Sequence, residues 1–224
     1  MTGYYHSLID LLFIGIIALF PVVNPIGSAL IVNHYFANLT QPERRSAVRK
    51  ITLYAFSLCT VSLFAGHWIL QLFGISIPIV QLGGGIMICK TGWEFLTEGS
   101  KPPEHRADGT AVQGSLIKED LKDQLFFPIT FPITTGAGTM AVLFTLSAHS
   151  ANDNAVNYIL NSAALVLSII VMCVLVYFLY LNTKTLLKYA GSNGEKIINR
   201  IVAFLTFCVG LQIAVTGIKA LAKM

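Results

Sequence analysis

Long apolar stretches alternate along the chain with short polar segments that carry most of the cations. A membrane crossing takes about 20 mostly apolar residues. Six stretches reach that length, at residues 8–36, 51–73, 75–96, 125–146, 155–181 and 200–222. None shows the sustained two-residue alternation of a barrel strand. The pattern predicts an all-α membrane protein with six transmembrane helices. The first stretch is expected to remain as a span, because residues 1–7 lack the Lys or Arg of a signal peptide and no small-residue cleavage site follows.

Two stretches are interrupted. The first, at 29 residues, would extend about 44 Å as a helix at 1.5 Å per residue, more than one straight crossing needs. Its middle reads Pro21-Val-Val-Asn-Pro-Ile-Gly27. The fourth carries Pro128, Pro132, Gly136 and Gly138, within Pro132-Ile-Thr-Thr-Gly-Ala-Gly138. Proline removes a backbone donor and clashes with the preceding turn, so both helices are expected to unwind there. Unwound backbone survives in a bilayer only where it is buried in protein or lines a cavity.

The interruptions also match one another, each as P-x5-G. The third and sixth stretches match as well, Gly85…Thr91-Gly92 against Gly210…Thr216-Gly217, both reading G-x-x-I-x-x-T-G-x-x-x-L. The order of the matches predicts two three-helix repeats, at residues 1–96 and 125–224, joined by a connector at 97–124. Three crossings is an odd number, so the second repeat must be inverted relative to the first. Paired broken helices in inverted repeats mark the substrate site of many secondary transporters.

The breaks therefore supply the candidate site: Asn24, Pro25, Gly27, Ser28, Thr134, Thr135, Gly136, Gly138 and Thr139. Helix N-terminal amides suit a carboxylate, and freed carbonyls suit an ammonium or small cation. The breaks hold no Asp, Glu, Lys, Arg or His, so a small, overall neutral molecule fits better than a charged one. Six spans with P-x-x-N-P-x-G in the first helix and P-x-T-x-G-x-G-T in the fourth resemble the MarC family. The Gly83-Gly84-Gly85 run and the Val209-Gly-Leu-Gln212 segment extend the resemblance over essentially the whole chain. Where that family often has Gly-Pro-Gly in the fourth span, this chain has Gly136-Ala137-Gly138. The resemblance implies a bacterial or archaeal inner membrane and transport of small neutral amino acids such as glycine, alanine or serine.

Composition and charge refine this reading. Charged residues make up 12% of the chain, about half the usual share in soluble domains, and mean hydropathy is +0.69. The loops 37–50, 97–124 and 182–200 carry four Lys or Arg each, twelve together, against two on the opposite side. The positive-inside rule then puts both termini outside the cytoplasm. The modest net charge of +4 is explained by topology and by contact with the lipid bilayer, and no nucleic-acid partner is needed.

Zinc-protease and nucleotide-binding motifs are absent, as are convincing nucleophile–base pairs. The expectation is no enzyme activity, no cofactor and no metal. Cys59, Cys89, Cys173 and Cys208 form no C-x-x-C and none lies in a break, which counts against a transmembrane thiol-redox conduit. A channel or an exporter for another small neutral solute is the nearer alternative. Lys90 sits four residues before Glu94 and is expected to pair with it or snorkel. His67 is a weak candidate proton carrier, and Gln81 and Gln212 are candidates to face the cavity. No buried carboxylate points to a coupling ion. Thr40-Gln-Pro-Glu43 has the form of a capping box, and the small residues of the third and sixth helices allow close contact within the chain or in a homo-oligomer.

Overall fold

A computed structural model describes residues 2–36, 39–98, 124–150 and 155–222. All regular structure among these residues is helical. The first apolar stretch forms α1 (Thr2–Val23) and α2 (Pro25–Tyr35), separated by Asn24 alone. The second lies in α3 (Gln41–Leu72) and the third in α4 (Ile77–Glu98). The fourth forms α5 (Leu125–Thr134) and α6 (Ala137–Ser150), and the remainder is α7 (Ala155–Leu221).

Helix α3 starts as its sequence indicates. Thr40 adopts an extended backbone, and the Glu43 carboxylate accepts from both the Thr40 amide (3.0 Å) and the Thr40 hydroxyl (2.7 Å). Pro42 occupies the first turn, where its missing N–H costs nothing.

The polar segment expected as a loop at 182–200 is instead helical, so α7 runs for 67 residues. It is not straight. Ser168 donates to the Leu12 carbonyl at 3.0 Å and Thr206 to the Pro21 carbonyl at 3.2 Å. A straight helix would separate Ser168 from Thr206 by about 57 Å, whereas Leu12 and Pro21 are about 14 Å apart along α1. The chain must therefore turn back between Ser168 and Thr206. Its two arms contain the separate apolar spans Val156–Thr185 and Arg200–Leu221.

Four spans are long and apolar enough to cross a membrane, with the bent pair α5 and α6 as a fifth. The expected third crossing, α4, is long enough at 22 residues but less apolar, because it carries Gln81, Lys90 and Glu94. Large apolar side chains are exposed on α1, α3, α4 and α7, including Ile17, Leu72, Ile86, Phe178 and Phe204. A water-soluble surface would not carry so continuous an apolar covering.

Helix α4 packs against the second arm of α7 through glycine. A Cβ on Gly85 would lie 2.7 Å from the Gly210 carbonyl, and one on Gly210 would lie 2.8 Å from the Gly85 carbonyl. A Cβ on Gly92 would lie 2.6 Å from the Phe207 amide, and one on Gly217 2.8 Å from the Leu82 amide. Only residues without a side chain permit this backbone approach. Gly83 of the same helix has open space beside it. Replacing Gly85 or Gly210 by leucine is expected to separate the helices and abolish a monodisperse, thermally stable preparation. Gly83→Ala should leave both properties unchanged in size-exclusion and melting measurements.

Candidate functional site

The first break is confined to one residue. Asn24 has φ of +44°, a left-handed conformation that asparagine tolerates better than most residues. The ladder nearly continues through it, with Asn24 N–H on the Phe20 carbonyl (3.0 Å) and Ser28 N–H on the Asn24 carbonyl (2.9 Å). The Asn24 side chain then caps α2, its Oδ1 accepting from the Gly27 amide at 3.0 Å. Gly27 is required beside it, since any Cβ would run into the Asn24 amide group.

Because Pro25 has no N–H, the Pro21 carbonyl loses its helical partner. The Thr206 hydroxyl, shared with the Val202 carbonyl of its own helix at 2.8 Å, reaches it at 3.2 Å, and the Thr139 hydroxyl reaches the Val22 carbonyl at 3.4 Å. Two distant helices thus supply the acceptor groups at the end of α1 with donors.

The second break is wider. Proline disfavours helical backbone in the residue before it, and both Phe127 (φ −118°, ψ 122°) and Phe131 (φ −120°, ψ 122°) are extended. The chain around them reads Phe127-Pro-Ile-Thr130-Phe131-Pro-Ile-Thr134, a tandem of one four-residue unit. Three threonine hydroxyls add bonds to carbonyls five residues back, and the Thr130 carbonyl also accepts the Thr135 amide at 2.8 Å. Thr130 donates to Leu125 O (2.7 Å), Thr134 to Ile129 O (2.7 Å) and Thr135 to Thr130 O (3.0 Å). The pair α5 and α6 is bent by 64° across the break. The first amides of α6 have no acceptor within their own helix.

The structure brings the two breaks together. Leu19 and Val23 of α1, Ala55 and Cys59 of α3, Thr134 and Thr135, and Ile169, Met172, Cys173 and Val176 of α7 line one cavity of about 10 Å³. That is room for about one water. The Tyr180 hydroxyl bonds Thr134 Oγ1 at 2.8 Å and lies beside Ser28. Asn24, Pro25, Gly27, Ser28, Thr134, Thr135 and Thr139 are all buried, with Gly136 and Gly138 half-buried, Gly138 against Ile88 of α4.

Several participants had no legible signal. Tyr180, Thr206 and Arg44 lie far from the breaks in sequence, and only packing places them there. The cysteines differ from expectation too. Cys59 and Cys173 share the cavity with Thr134 and Thr135, so a thiol pair does adjoin the second break. The cavity lining holds no charged side chain, a setting in which cysteine acts as a small hydrophobe. Lys90 pairs with Glu94 at 3.8 Å on an exposed face, as their spacing predicts. Gln212 is exposed and Gln81 partly so, at the α4–α7 contact. The side chain of His67 and the connector 99–123 lie outside the described residues.

Helices with lipid-compatible outer faces and a polar, twice-broken interior define a multi-pass integral membrane protein. The chain matches the profile of the MarC family, described as MarC family integral membrane protein, over residues 9–222, and it belongs to that family. It is 23% identical over 210 residues to the inner membrane protein MarC of Salmonella paratyphi A, covering 94% of this chain and 95% of the relative. To the inner membrane protein MarC of Escherichia coli O1:K1 / APEC it is 24% identical over 215 residues, with the same coverage. No solved structure matches the chain.

Asn24 supplies both a cap and a tolerated left-handed backbone. Asn24→Ala is expected to destabilise the protein by about 1–2 kcal/mol, while Asn24→Gly, which keeps the backbone conformation, should cost only a few tenths. Thermal melts of the two variants in one detergent test this order.

Proposed function

We propose that this protein is a secondary transporter of small neutral amino acids, of the glycine, alanine or serine type, in the inner membrane. It has six crossings arranged as two inverted repeats, with α4 as the third and both termini on the outer side. The observation that carries the reading is the approach of the two helix breaks, where Thr139 reaches the Val22 carbonyl and Val23, Thr134 and Thr135 line one small cavity.

The glycine contacts support the inverted repeat. In the register that pairs Gly85 with Gly210 and Gly92 with Gly217, Leu82 pairs with Phe207. Gly92 meets Phe207 and Gly217 meets Leu82, while Gly85 and Gly210 meet each other. Reciprocal contacts of this kind are those of an axis relating two copies of one unit, as in an isologous interface. The cavity lining follows the same logic. The register pairing Pro21 with Pro132 also pairs Val23 with Thr134, and both residues line it.

The cargo's carboxylate sits at the first amides of α6, beside the hydroxyls of Thr134 and Thr135. At α2 the equivalent position is less available, because Asn24 already caps it. The ammonium shares the carbonyls of Pro21 and Val22, each of which has a second lone pair. A cavity of about 10 Å³ is too small for any amino acid, so the structure corresponds to a closed state that must open to load. A closed, water-sized cavity also favours a gated carrier over a standing pore.

Loss of a hydrogen bond to a charged ligand costs about 1.5–3 kcal/mol, or tenfold and more in affinity. On loading, the Thr135 hydroxyl turns from the Thr130 carbonyl, which keeps the Thr135 amide at 2.8 Å, to the carboxylate, so Thr135→Val is expected to raise the half-saturation concentration for alanine counterflow in proteoliposomes at least tenfold, with the melting profile largely retained. Unchanged counterflow, or no saturable counterflow of any neutral amino acid in the parent protein, would overturn the reading.

A further inference from the structure

Arg44 is the largest fully buried side chain, at 1% exposure. Its Nε and Nη2 donate to the Tyr180 carbonyl at 3.1 and 2.6 Å, and its guanidinium lies 5.5 Å from the centre of the Phe36 ring. Nη1 is buried and has no hydrogen-bond partner among the described residues. The adjacent Glu43 carboxylate is engaged with Thr40, and Lys90–Glu94 is the ion pair found among the described residues.

Arginine keeps its charge in proteins, and burying a cation without a counter-charge costs several kcal/mol. A carbonyl and an aromatic face offset part of that cost. The guanidinium offers two edges. The Nε–Nη2 edge is spent on Tyr180, while the Nη1–Nη2 end remains, with the spacing that holds both oxygens of a carboxylate. Tyr180 connects this end to the candidate site. Its carbonyl holds Arg44, and its hydroxyl holds Thr134 and lies beside Ser28.

We infer that Arg44 forms a carboxylate subsite one tyrosine length from the helix breaks, where a small monocarboxylate docks on its free Nη1–Nη2 end. The assignment rests on the proposed amino-acid cargo and extends it. The loop charges place Arg44 at the cytoplasmic end of the path, so the carboxylate of the amino acid engages Arg44 on its way between the cytoplasm and the breaks. Arg44 then captures the carboxylate first, and the breaks hold it afterwards and select for small size.

The test uses the full chain in phosphatidylcholine nanodiscs, titrated calorimetrically with L-alanine and separately with propionate, which has the carboxylate but no ammonium. Arg44→Lys keeps the charge and loses the planar fork, whereas Arg44→Gln loses both. Each variant is expected to weaken alanine and propionate binding at least tenfold. Parent-like affinity in either folded variant overturns the subsite. If the parent binds propionate but no amino acid, the proposed cargo fails, and the subsite stands only if both variants lose propionate. A parent that binds no carboxylate overturns it, as does loss of folding in both variants, which would make Arg44 structural.

Discussion

Every backbone amide and carbonyl inside a bilayer must find a partner within the protein. The prolines of this chain remove such partners at two places, and the surrounding fold replaces them. At the first break the replacements come from a distance, as hydroxyls of Thr139 and Thr206 on the carbonyls of Val22 and Pro21. At the second, threonine hydroxyls add local bonds to carbonyls five residues back and hold the irregular backbone in place. The bundle is thereby tied together at its weakest backbone. Thr206 joins the last arm of α7 to α1, and Thr139 joins α6 to the same helix end.

That arrangement explains how a polar interior coexists with an outer surface suited to lipid. The buried hydroxyls of Thr130, Thr134, Thr135, Thr183 and Thr206 each serve a carbonyl, and large apolar side chains on the same bundle are exposed. Close packing comes from glycine rather than from large apolar knobs. In lipid the hydrophobic effect gives little drive for helices to associate, so van der Waals contact at short backbone separation carries more of the association. The α4–α7 contact has that form. Membership of the MarC family agrees with this construction and fixes the class of the molecule. The proposed cargo rests on the chemistry of the breaks, and the Arg44 subsite rests on that proposal.

The two breaks also differ in what they leave available. Asn24 both interrupts and caps, so α2 begins with its amides largely occupied. Helix α6 begins after an extended Thr135 without an equivalent cap residue. A pair of matched sequence motifs has become one structural joint and one open helix start. This asymmetry suits a site that has to bind one end of a zwitterion more firmly than the other.

The sequence by itself determined the membrane class, the run of apolar stretches, the position of both breaks and the cap at Thr40. These depend on local chemistry: hydropathy over about 20 residues, the missing proline N–H and the reach of a side chain over one turn. The tandem Phe-Pro-Ile-Thr unit also acts locally, but in the sequence only its two prolines signalled the break. Only tertiary structure decided that the breaks lie side by side, that α7 turns back on itself and that Cys59 adjoins Cys173. The same holds for Thr206 and Tyr180, which satisfy groups on other helices, and for Arg44, a residue that reads as an ordinary loop cation yet lies buried with one end free. Partners so far apart along the chain leave no periodic trace in it, since their pairing is set by how helices cross.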